Sequence, residues 1–487
     1  MEEGGGMMAE IKLMINDKPV TAEKGDTILQ AARKNDIYIP TLCHFEGIRG
    51  RANCRICVVE VEKMRTFQPA CVTEVREGMV VHTNTERLRK ARKATLELIL
   101  SHHAVDCHHC LRIGSSREES LDPKFCEMCF WCDCVRDGMC ELQALSREYH
   151  VDVLPFIQHE KDYETDESLA SVIRNPNKCI KCRRCVDICS EVQTVHNLSA
   201  ANRGRDIMVV PEMGRPMAES ACVRCGHCVD VCPTGAVYME EHMDEVLYMT
   251  HSYDVDVAAQ VSNDVIAELT RLYKVRDGEI EMGQIVSALH KIGVKTVITS
   301  DHAEYLSAKQ AEHILKEKIG RETVIITESR AVMNFVERYF PDMKDRISRY
   351  ESAQSVFSRL AMELASEKPL KTVNITNVKE AAAEGKETGN ADYVINAREL
   401  YRLFLRTGGA PARKKPSAPD KMWNDGEFPL VDFLGRKEWT LLKEPEELSI
   451  EIDGKMYKCA VAHNLGQVRR LFEEGLCEKY DAVRLMA

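Results

Sequence analysis

Two short stretches repeat one cysteine spacing, C-x2-C-x2-C-x3-C: CIKCRRCVDIC at residues 179–189 and CVRCGHCVDVCP at residues 222–233. In this spacing, three cysteines of each run bind one 4Fe–4S cluster and the fourth binds the neighbouring cluster. A proline follows the second run, whereas Ser190 takes that place after the first. The repeat predicts two adjacent 4Fe–4S clusters. The two ligand sets are Cys179, Cys182, Cys185 and Cys232, and Cys222, Cys225, Cys228 and Cys189.

The first 40 residues have the pattern of a small domain made of strands and a short helix. Two strand-like segments flank a turn at Asn16-Asp17. Asp26 is predicted to cap a short helix that runs from Thr27 to about Lys34. This segment leads directly into the first group of cysteines.

That first group consists of Cys43, Cys54, Cys57 and Cys71, in the pattern C-x10-C-x2-C-x13-C. Four thiolates on two irons make a 2Fe–2S cluster, and the loop GRANCRIC supplies small residues where the backbone must approach the sulfides. The first gap is longer than in the plant-type spacing, and a zinc site is the alternative. The preferred prediction is a 2Fe–2S cluster.

The middle group begins after a predicted helix whose apolar positions are Leu88, Ala91, Leu96, Ile99 and Leu100. His103, Cys107 and Cys110 then form H-x3-C-x2-C, and Cys140 precedes Glu-Leu-Gln. Between them, the stretch CEMCFWCDC adds four more thiols, at Cys126, Cys129, Cys132 and Cys134. His102, His108 and His109 are expected to be solvated.

One histidine and seven cysteines give eight ligands, enough for two four-coordinate sites. In the preferred partition, His103, Cys107, Cys110 and Cys140 bind a 4Fe–4S cluster, and the four inserted cysteines bind a second 4Fe–4S cluster or a zinc ion. In the other partition, Cys107, Cys110, Cys126 and Cys129 bind zinc in the spacing C-x2-C-x15-C-x2-C. His103, Cys132, Cys134 and Cys140 are then left for the cluster. Both partitions remain open.

Composition limits the classes of function. The chain has 487 residues, 44% of them hydrophobic and 29% charged, which predicts a soluble protein of several modules. The net charge of −11 argues against nucleic acid and anionic membranes as partners. No apolar run reaches the ~18 residues of a membrane span, and MEEGGGMMAE lacks the apolar centre of a targeting peptide. Twenty-one cysteines without an export signal predict metal ligation in the cytoplasm, with the isolated Cys459 and Cys477 simply buried.

Beyond residue 240 the pattern changes to alternating helices and strands. EMGQIVSALHKIG precedes VKTVITS, and ETVIITE precedes AVMNFVERYF, which predicts an α/β domain. The stretch TGGAPARKKPSAPDK, at 407–421, is predicted to be a linker or an exposed loop. The last 30 residues again alternate strand, helix and strand.

The N-terminal region resembles the ferredoxin-like domain shared by the large iron–sulfur subunit of complex I-type NADH dehydrogenases and by NAD-linked iron-only hydrogenases. The resemblance implies a β-grasp fold and accounts for the long gap between Cys43 and Cys54. It also implies that His103 is the nitrogen ligand of a 4Fe–4S cluster. In these families about five residues separate the last two cysteine ligands of that cluster, whereas 29 residues separate Cys110 from Cys140 here.

Five later segments resemble the catalytic domain of iron-only hydrogenases and keep its order: VSALHKIGVKTVITSD, NFVERYFPD, ESAQSVFSRL, ADYVINAREL and AVAHNLG. In that family the strand before FVE ends in a cysteine that binds the active-site cluster, and Glu328 stands at this place. The chain ends at Met486-Ala487, ahead of the last family cysteines. The resemblance therefore implies a degenerate hydrogenase scaffold for docking and packing, with no catalytic residue.

Together these patterns predict a modular α+β protein. Residues 1–85 form a β-grasp 2Fe–2S domain, and residues 86–150 form a histidine-ligated 4Fe–4S domain with a cysteine-rich insertion. Residues 151–240 form a ferredoxin domain with two 4Fe–4S clusters, and residues 241–487 form the hydrogenase-like α/β domain. The expected cofactors are one 2Fe–2S cluster and three or four 4Fe–4S clusters, with a zinc ion in the insertion as the alternative to the fourth.

The predicted function is electron transfer. No GxGxxG or Walker motif is present in the sequence, so no NAD or flavin site is predicted. A hydride donor needs a flavin to separate its two electrons, and that flavin must lie on a partner. The resemblance implies a flavin- and NAD-binding subunit, a small 2Fe–2S subunit, ferredoxin, and a separate nickel–iron hydrogenase or formate dehydrogenase.

The chain is thus expected to be the iron–sulfur subunit of a soluble, NAD-linked, flavin-based electron-bifurcating oxidoreductase. One alternative is the peripheral-arm iron–sulfur subunit of a complex I-type NADH dehydrogenase. Another is a non-catalytic redox sensor or scaffold. The terminal substrate and the occurrence of bifurcation stay open at this point.

Overall fold

A computed structural model describes residues 10–103, 134–136, 139–151, 156, 163–364, 368–420, 428–435 and 440–487 of the chain. The helices in these ranges are α1 Ile28–Lys34, α2 Glu86–Leu100, α3 Glu141–Glu148, α4 Arg184–Asp187, α5 His227–Asp230, α6 Met243–Thr250, α7 Asp264–Tyr273, α8 Met282–Lys291, α9 Ser300–Lys318, α10 Arg330–Tyr339, α11 Ala353–Met362, α12 Lys379–Thr388, α13 Ala397–Thr407, α14 Val431–Leu434 and α15 Leu465–Glu473. The strands are β1 Glu10–Ile15, β2 Lys18–Glu23, β3 Val58–Val61, β4 Gln68–Pro69, β5 Val80–His82, β6 Ile173–Arg174, β7 Ser199–Ala201, β8 Met208–Val210, β9 Val237–Tyr238, β10 Asp256–Val261, β11 Thr296–Thr299, β12 Val324–Thr327, β13 Ile347–Arg349, β14 Leu370–Ile375, β15 Tyr393–Ile395, β16 Glu446–Ile452, β17 Lys455–Ala462 and β18 Ala482–Leu485.

The N-terminal domain is a five-stranded mixed sheet in the order β2-β1-β5-β3-β4, with β1 parallel to β5. Asn16 and Asp17 adopt positive φ angles between β1 and β2, as the predicted turn requires. Helix α1 buries Ile28, Leu29 and its two alanines in the domain core. A mixed sheet with one packed helix is the arrangement that the β-grasp prediction requires.

The predicted cap of α1 is wrong by one residue. The hydroxyl of Thr27, not a carboxylate oxygen of Asp26, accepts the amide of Gln30 at 3.2 Å. The Gln30 side chain in turn accepts the amide of Thr27 at 2.8 Å and completes a capping box. Asp26 instead accepts the Glu23 amide at 3.0 Å and so closes the preceding turn.

Helix α2 begins after the Thr85 cap and packs against β3 and α3. Its predicted apolar face is largely confirmed, since Leu88, Leu96 and Leu100 are buried. Sequence reasoning missed Arg92, which is 1% exposed and donates to the Val58 carbonyl at 2.7 Å and the Thr83 carbonyl at 2.9 Å. Helix α2 is therefore fixed to the 2Fe–2S domain by a buried polar side chain as well as by apolar contacts.

The strand pair β6–β9 encloses both ferredoxin-type cysteine runs in the sequence, and the β7–β8 hairpin lies between the two runs. Strand β6 pairs with β9, and β7 pairs with β8, both antiparallel. The short helices α4 and α5 each begin inside a cysteine run, after a residue with a left-handed backbone, Arg183 or Gly226. This turn at the same point of both runs gives the two sites a pseudo-symmetric layout.

The C-terminal region is α/β, as predicted, and it contains two sheets. One is an all-parallel four-stranded sheet in the order β11-β10-β14-β15. The other is five-stranded in the order β13-β12-β18-β17-β16, where only the β16–β17 hairpin is antiparallel. Helices α7, α8 and α13 pack on the first sheet and share one apolar core with it. Within the described ranges, no helix is long and apolar enough to cross a membrane.

The stretch at 407–421 has an exposed middle but fixed contacts on both sides. The amide of Ser417 donates to the Gly283 carbonyl of α8 at 2.9 Å. The amide of Val297, in β11, donates to a carboxylate oxygen of Asp420 at 2.6 Å. This loop is therefore attached to the sheet that it follows.

Candidate metal centres

The four thiols of the N-terminal group lie together in the structure. The Cys54 thiol donates to the sulfur of Cys43, which lowers the pKa of Cys43 and raises that of Cys54. In the same way, the Cys57 thiol donates to Cys71. The Cys43 sulfur also accepts the backbone amide of Cys54 at 3.4 Å. Four converging thiols with a backbone amide directed at sulfur fit a 2Fe–2S cluster.

The loop around this site is built for a close backbone approach. Ala52 and Arg55 adopt positive φ angles, which turn successive amides towards one side of the loop. A Cβ at Gly50 would lie 2.6 Å from the carbonyl oxygen of Cys71, so only glycine fits there. The prediction of small residues in this loop therefore applies most strictly to Gly50.

The first ferredoxin-type site brings together the predicted set of Cys179, Cys182, Cys185 and Cys232. Burial raises the pKa of Cys185 well above its usual value, and the charges of the other three cysteines raise it further. Cys179, Cys185 and Cys232 pack in one apolar core, and the charges of Cys179 and Cys232 also act on Cys182, so the four cysteines lie close together. The sulfur of Cys179 also accepts the Lys181 amide at 3.4 Å.

The second ferredoxin-type site is a small cavity. Its lining contains Cys189 from the first run together with Cys222, Cys225 and Cys228 from the second run. The remaining lining is mostly apolar. The exchange of the fourth cysteine that the repeat predicts is thus present in the geometry. Four soft sulfur donors around one mostly apolar cavity fit a 4Fe–4S cluster.

The two ferredoxin-type sites are neighbours. Burial raises the pKa of Cys228, in the second set, and the charges of Cys222 and Cys225 raise it further. The charge of Cys185, in the first set, acts in the same direction, so the two sets lie close together. The 2Fe–2S loop also reaches the first set, since the side-chain amide of Asn53 lies 3.5 Å from the carbonyl oxygen of Cys182. The three sites therefore form a continuous series.

Only part of the middle group lies in the described residues. Cys107, Cys110, Cys126, Cys129 and Cys132 fall outside them, so neither partition of the eight ligands is tested. His103, Cys134 and Cys140 are all buried, whereas His102 is exposed as predicted.

Cys134 and Cys140 lie near the first ferredoxin-type set. Burial raises the pKa of Cys140 to about 12, and the charges of Cys134 and Cys232 act in the same direction. A Cβ at Gly235 would lie 3.3 Å from the Cys134 sulfur. These two cysteines therefore belong to one thiol-rich region beside Cys232. Across the described residues, no three His, Cys, Asp or Glu side chains are arranged to hold a single metal ion.

The place that corresponds to the hydrogenase cysteine is filled by an ion pair. Glu328 accepts a hydrogen bond from the buried guanidinium of Arg484 at 3.0 Å. The same guanidinium donates to the carbonyls of Phe433 at 2.9 Å and Gly435 at 2.7 Å. Sequence reasoning missed Arg484, although an arginine inside the otherwise apolar strand AVRLM was a visible signal. Cys459 and Cys477 are buried as predicted.

Three family models match the chain. The 2Fe-2S iron-sulfur cluster binding domain matches residues 8–86, and the 4Fe-4S dicluster domain matches residues 178–245. The C-terminal domain of the iron only hydrogenase large subunit matches residues 255–433. The predicted presence of these three domain types is confirmed.

Two curated proteins define the relationships of the chain. The NADP-reducing hydrogenase subunit HndD of Solidesulfovibrio fructosivorans is 32% identical, and the alignment covers 99% of this chain and 87% of that protein. The mitochondrial NADH-ubiquinone oxidoreductase 78 kDa subunit of Neurospora crassa is 32% identical over 41% of this chain and 24% of that protein. Similarity to the hydrogenase subunit thus extends over the whole chain, whereas similarity to the ubiquinone oxidoreductase subunit covers less than half of it.

Solved structures give weaker matches. An NAD+-reducing [NiFe]-hydrogenase chain in the H2-reduced state is 24% identical and covers 47% of this chain and 88% of its own, with a TM-score of 0.40. The [FeFe]-hydrogenase HydA1 of Chlamydomonas reinhardtii is 17% identical and covers 51% of this chain and 82% of its own, with a TM-score of 0.41.

Proposed function

Because this chain belongs to the family of hydrogenase iron–sulfur subunits that includes the HndD subunit, we propose that it carries electrons between the partners of a multi-subunit NAD(P)-linked oxidoreductase. The observation that carries this proposal is the continuous series of cysteine sites. The 2Fe–2S loop contacts the first ferredoxin-type set through Asn53, and that set adjoins the second through Cys185 and Cys228.

Each described site supplies soft thiolate donors that suit iron. Cys43, Cys54, Cys57 and Cys71 would hold the 2Fe–2S cluster, and the two ferredoxin-type sets would each hold a 4Fe–4S cluster. When bound, such clusters accept and release single electrons. The residues of the chain hold the sites in sequence, bury the sulfurs and direct backbone amides at them.

The middle group adds one or two further centres. The nearness of Cys134 to Cys140 supports the partition in which both residues join His103 and Cys132 in one 4Fe–4S site. Cys107, Cys110, Cys126 and Cys129 would then hold a zinc ion. In this partition the chain carries one 2Fe–2S cluster, three 4Fe–4S clusters and one zinc ion.

The partners proposed for the chain are a flavin- and NAD-binding subunit and a small 2Fe–2S subunit. The second ferredoxin-type site would face ferredoxin or a separate catalyst, either a nickel–iron hydrogenase or a formate dehydrogenase. Electron bifurcation between nucleotide and ferredoxin is the mode of coupling that the family resemblance favours. The extent of the hydrogenase match, 99% of the chain against 41%, favours this role over that of a complex I subunit.

The C-terminal domain is proposed to lack a hydrogen-converting site of its own. Glu328 is a hard oxygen donor that is poorly matched to iron–sulfur ligation. It is also committed to a 3.0 Å ion pair with Arg484, which is 4% exposed. A carboxylate held in this way cannot serve as the bridging thiolate of an active-site cluster.

The test is reduction by NADH or NADPH in the complex purified from the host under mild anaerobic conditions. Either nucleotide should reduce the clusters of the complex, and neither should reduce the isolated chain. The variant Cys57→Ser should lose about two irons and block nucleotide reduction of the ferredoxin-type clusters, while dithionite still reduces them. Cys459→Ser, at a buried cysteine outside the sites, is the matched control and should behave as the wild type. Reduction of the isolated chain by either nucleotide would contradict the proposal.

A further inference from the structure

Arg184 is a buried arginine at the centre of the cluster-bearing half of the protein. Its side chain is only 4% exposed. Both of its terminal nitrogens donate to the carboxylate of Glu141, at 2.6 and 2.7 Å. One of them lies 3.4 Å from the Val231 carbonyl oxygen, and the guanidinium carbon lies 5.7 Å from the centre of the Phe45 ring. The guanidinium therefore contacts three chain segments besides its own.

Each of these segments carries a predicted cluster ligand next to the contact. Phe45 follows Cys43 by two positions, and Glu141 directly follows Cys140. Val231 directly precedes Cys232, and Arg184 itself directly precedes Cys185. A single guanidinium thus joins the 2Fe–2S site, the middle site and both runs of the first ferredoxin-type site.

The charge of Arg184 also reaches the sulfurs. Burial opposes the charged form of Arg184, but the hydrogen bonds that it donates to Glu141 and the charges of Glu141, Cys182 and Cys43 leave its pKa raised. The Glu141 side chain is 42% exposed and partly screened by water, so it does not cancel the buried cation.

We propose that Arg184 is a positioning residue that fixes three cluster sites relative to one another and stabilises electrons added to two of them. The two are the 2Fe–2S site at Cys43 and the first ferredoxin-type site at Cys182. A reduced cluster carries one more negative charge, and a buried cation nearby favours that state. Because one cation acts on both sites, removing its charge should shift both potentials in the same direction. This inference rests on the proposed electron-transfer function.

The test is a redox titration of the anaerobically purified full chain, followed by EPR. Arg184→Gln removes the charge and should lower the midpoint potentials of both sites. We expect about a tenfold fall in each one-electron reduction constant, which corresponds to ~59 mV. Arg184→Lys keeps the charge and should restore most of the shift. Glu141→Gln leaves the cation uncompensated and should move both potentials in the opposite direction, to more positive values.

The chain offers a matched control at Arg484, which is also 4% exposed and pairs with a partly exposed carboxylate, Glu328. Arg484→Gln should lower the thermal stability of the protein but leave both potentials unchanged. Wild-type potentials in a fully iron-loaded Arg184→Gln protein would overturn the inference.

If Arg184→Gln fails to assemble its clusters, the Glu141→Gln variant becomes the test. A purely structural role for Arg184 predicts no positive shift of the midpoint potentials in that variant. An absent or negative shift in Glu141→Gln would then refute the inference. The proposed function is tested separately, by reduction of the wild-type complex with NADH or NADPH. Unchanged potentials together with intact nucleotide reduction would refute the role of Arg184 alone.

Discussion

Replacing Gly50 with alanine is expected to damage the 2Fe–2S site selectively. A Cβ at this position would lie 2.6 Å from the Cys71 carbonyl oxygen and 3.0 Å from a methyl carbon of Val72. The carbonyl belongs to the backbone of a predicted ligand and cannot swing aside as a flexible side chain can. To reach an ordinary contact of 3.4 Å, the two segments must separate by about 0.8 Å.

Overpacking of this kind costs about 1–3 kcal/mol, and here the displacement falls on the ligand loop. The control is Gly78→Ala in the same domain, where φ is +69° and a Cβ meets no atom of the described residues within 4 Å. The left-handed backbone at Gly78 makes alanine cost about 1–2 kcal/mol, so the two variants should be destabilised to a similar extent.

Iron per chain and the 2Fe–2S EPR signal are the measurements, with urea unfolding as the measure of stability. Gly50→Ala should lose most of the 2Fe–2S signal and keep the 4Fe–4S signals. Gly78→Ala should keep both. A full 2Fe–2S signal in Gly50→Ala, or an equal loss in both variants, would refute the reasoning.

Three further predictions concern the middle group, the C-terminal domain and pH. Replacing Cys134 with serine should abolish the histidine-ligated 4Fe–4S signal and leave zinc in place, whereas the double variant Cys126→Ser, Cys129→Ser should release zinc and keep that signal. If both variants instead lose the same inserted centre and keep the histidine-ligated signal, the first partition is supported. The isolated chain should neither evolve nor consume hydrogen after treatment with the hydrogenase maturation machinery, and hydrogen formation in a dithionite assay would contradict the inactive C-terminal domain. Burial raises the pKa of Glu399 to about 8, with Glu241 acting in the same direction, so the folded protein keeps a proton that the unfolded chain releases above about 4.5. Stability should therefore fall as pH rises from 5 towards 8, and Glu399→Gln should flatten this dependence in urea unfolding; equal slopes in both proteins would contradict it.

The cysteine sets could be predicted from sequence because their geometry is local. Three of the four ligands of a ferredoxin-type set come from one short turn, and the repeat itself indicates that Cys189 crosses to the second set. The prediction of the α1 cap is wrong by one residue for a local reason, since Asp26 and Thr27 are adjacent and both are good capping residues. In each case the deciding contact spans only a few positions.

The buried arginines could not be predicted in the same way. Arg184 pairs with Glu141 and Arg484 pairs with Glu328, partners that lie 43 and 156 positions away. Burial of a guanidinium is unfavourable unless such a partner is present, and the sequence around each arginine does not reveal it. The contacts that join modules to one another therefore become visible only in the folded chain.

Contacts between modules also join the C-terminal domain to the second cysteine run. The side-chain amide of Asn334, in α10, donates to the Val223 carbonyl at 3.3 Å, inside the second cysteine run. A Cβ at Gly226 would lie 2.2 Å from Cβ of Lys379, so α12 presses directly on the same run. Val223, Cys189 and Cys225 share an apolar core with α10 and α15.

The C-terminal domain thus forms an outer wall of the second ferredoxin-type cavity. The potential of an iron–sulfur cluster depends on its burial and on hydrogen bonds near its sulfurs. Removing this wall would expose Cys225, a thiol whose pKa burial now raises well above its usual value. These contacts give the C-terminal domain a packing role at the second ferredoxin-type site, whatever chemistry the domain itself performs.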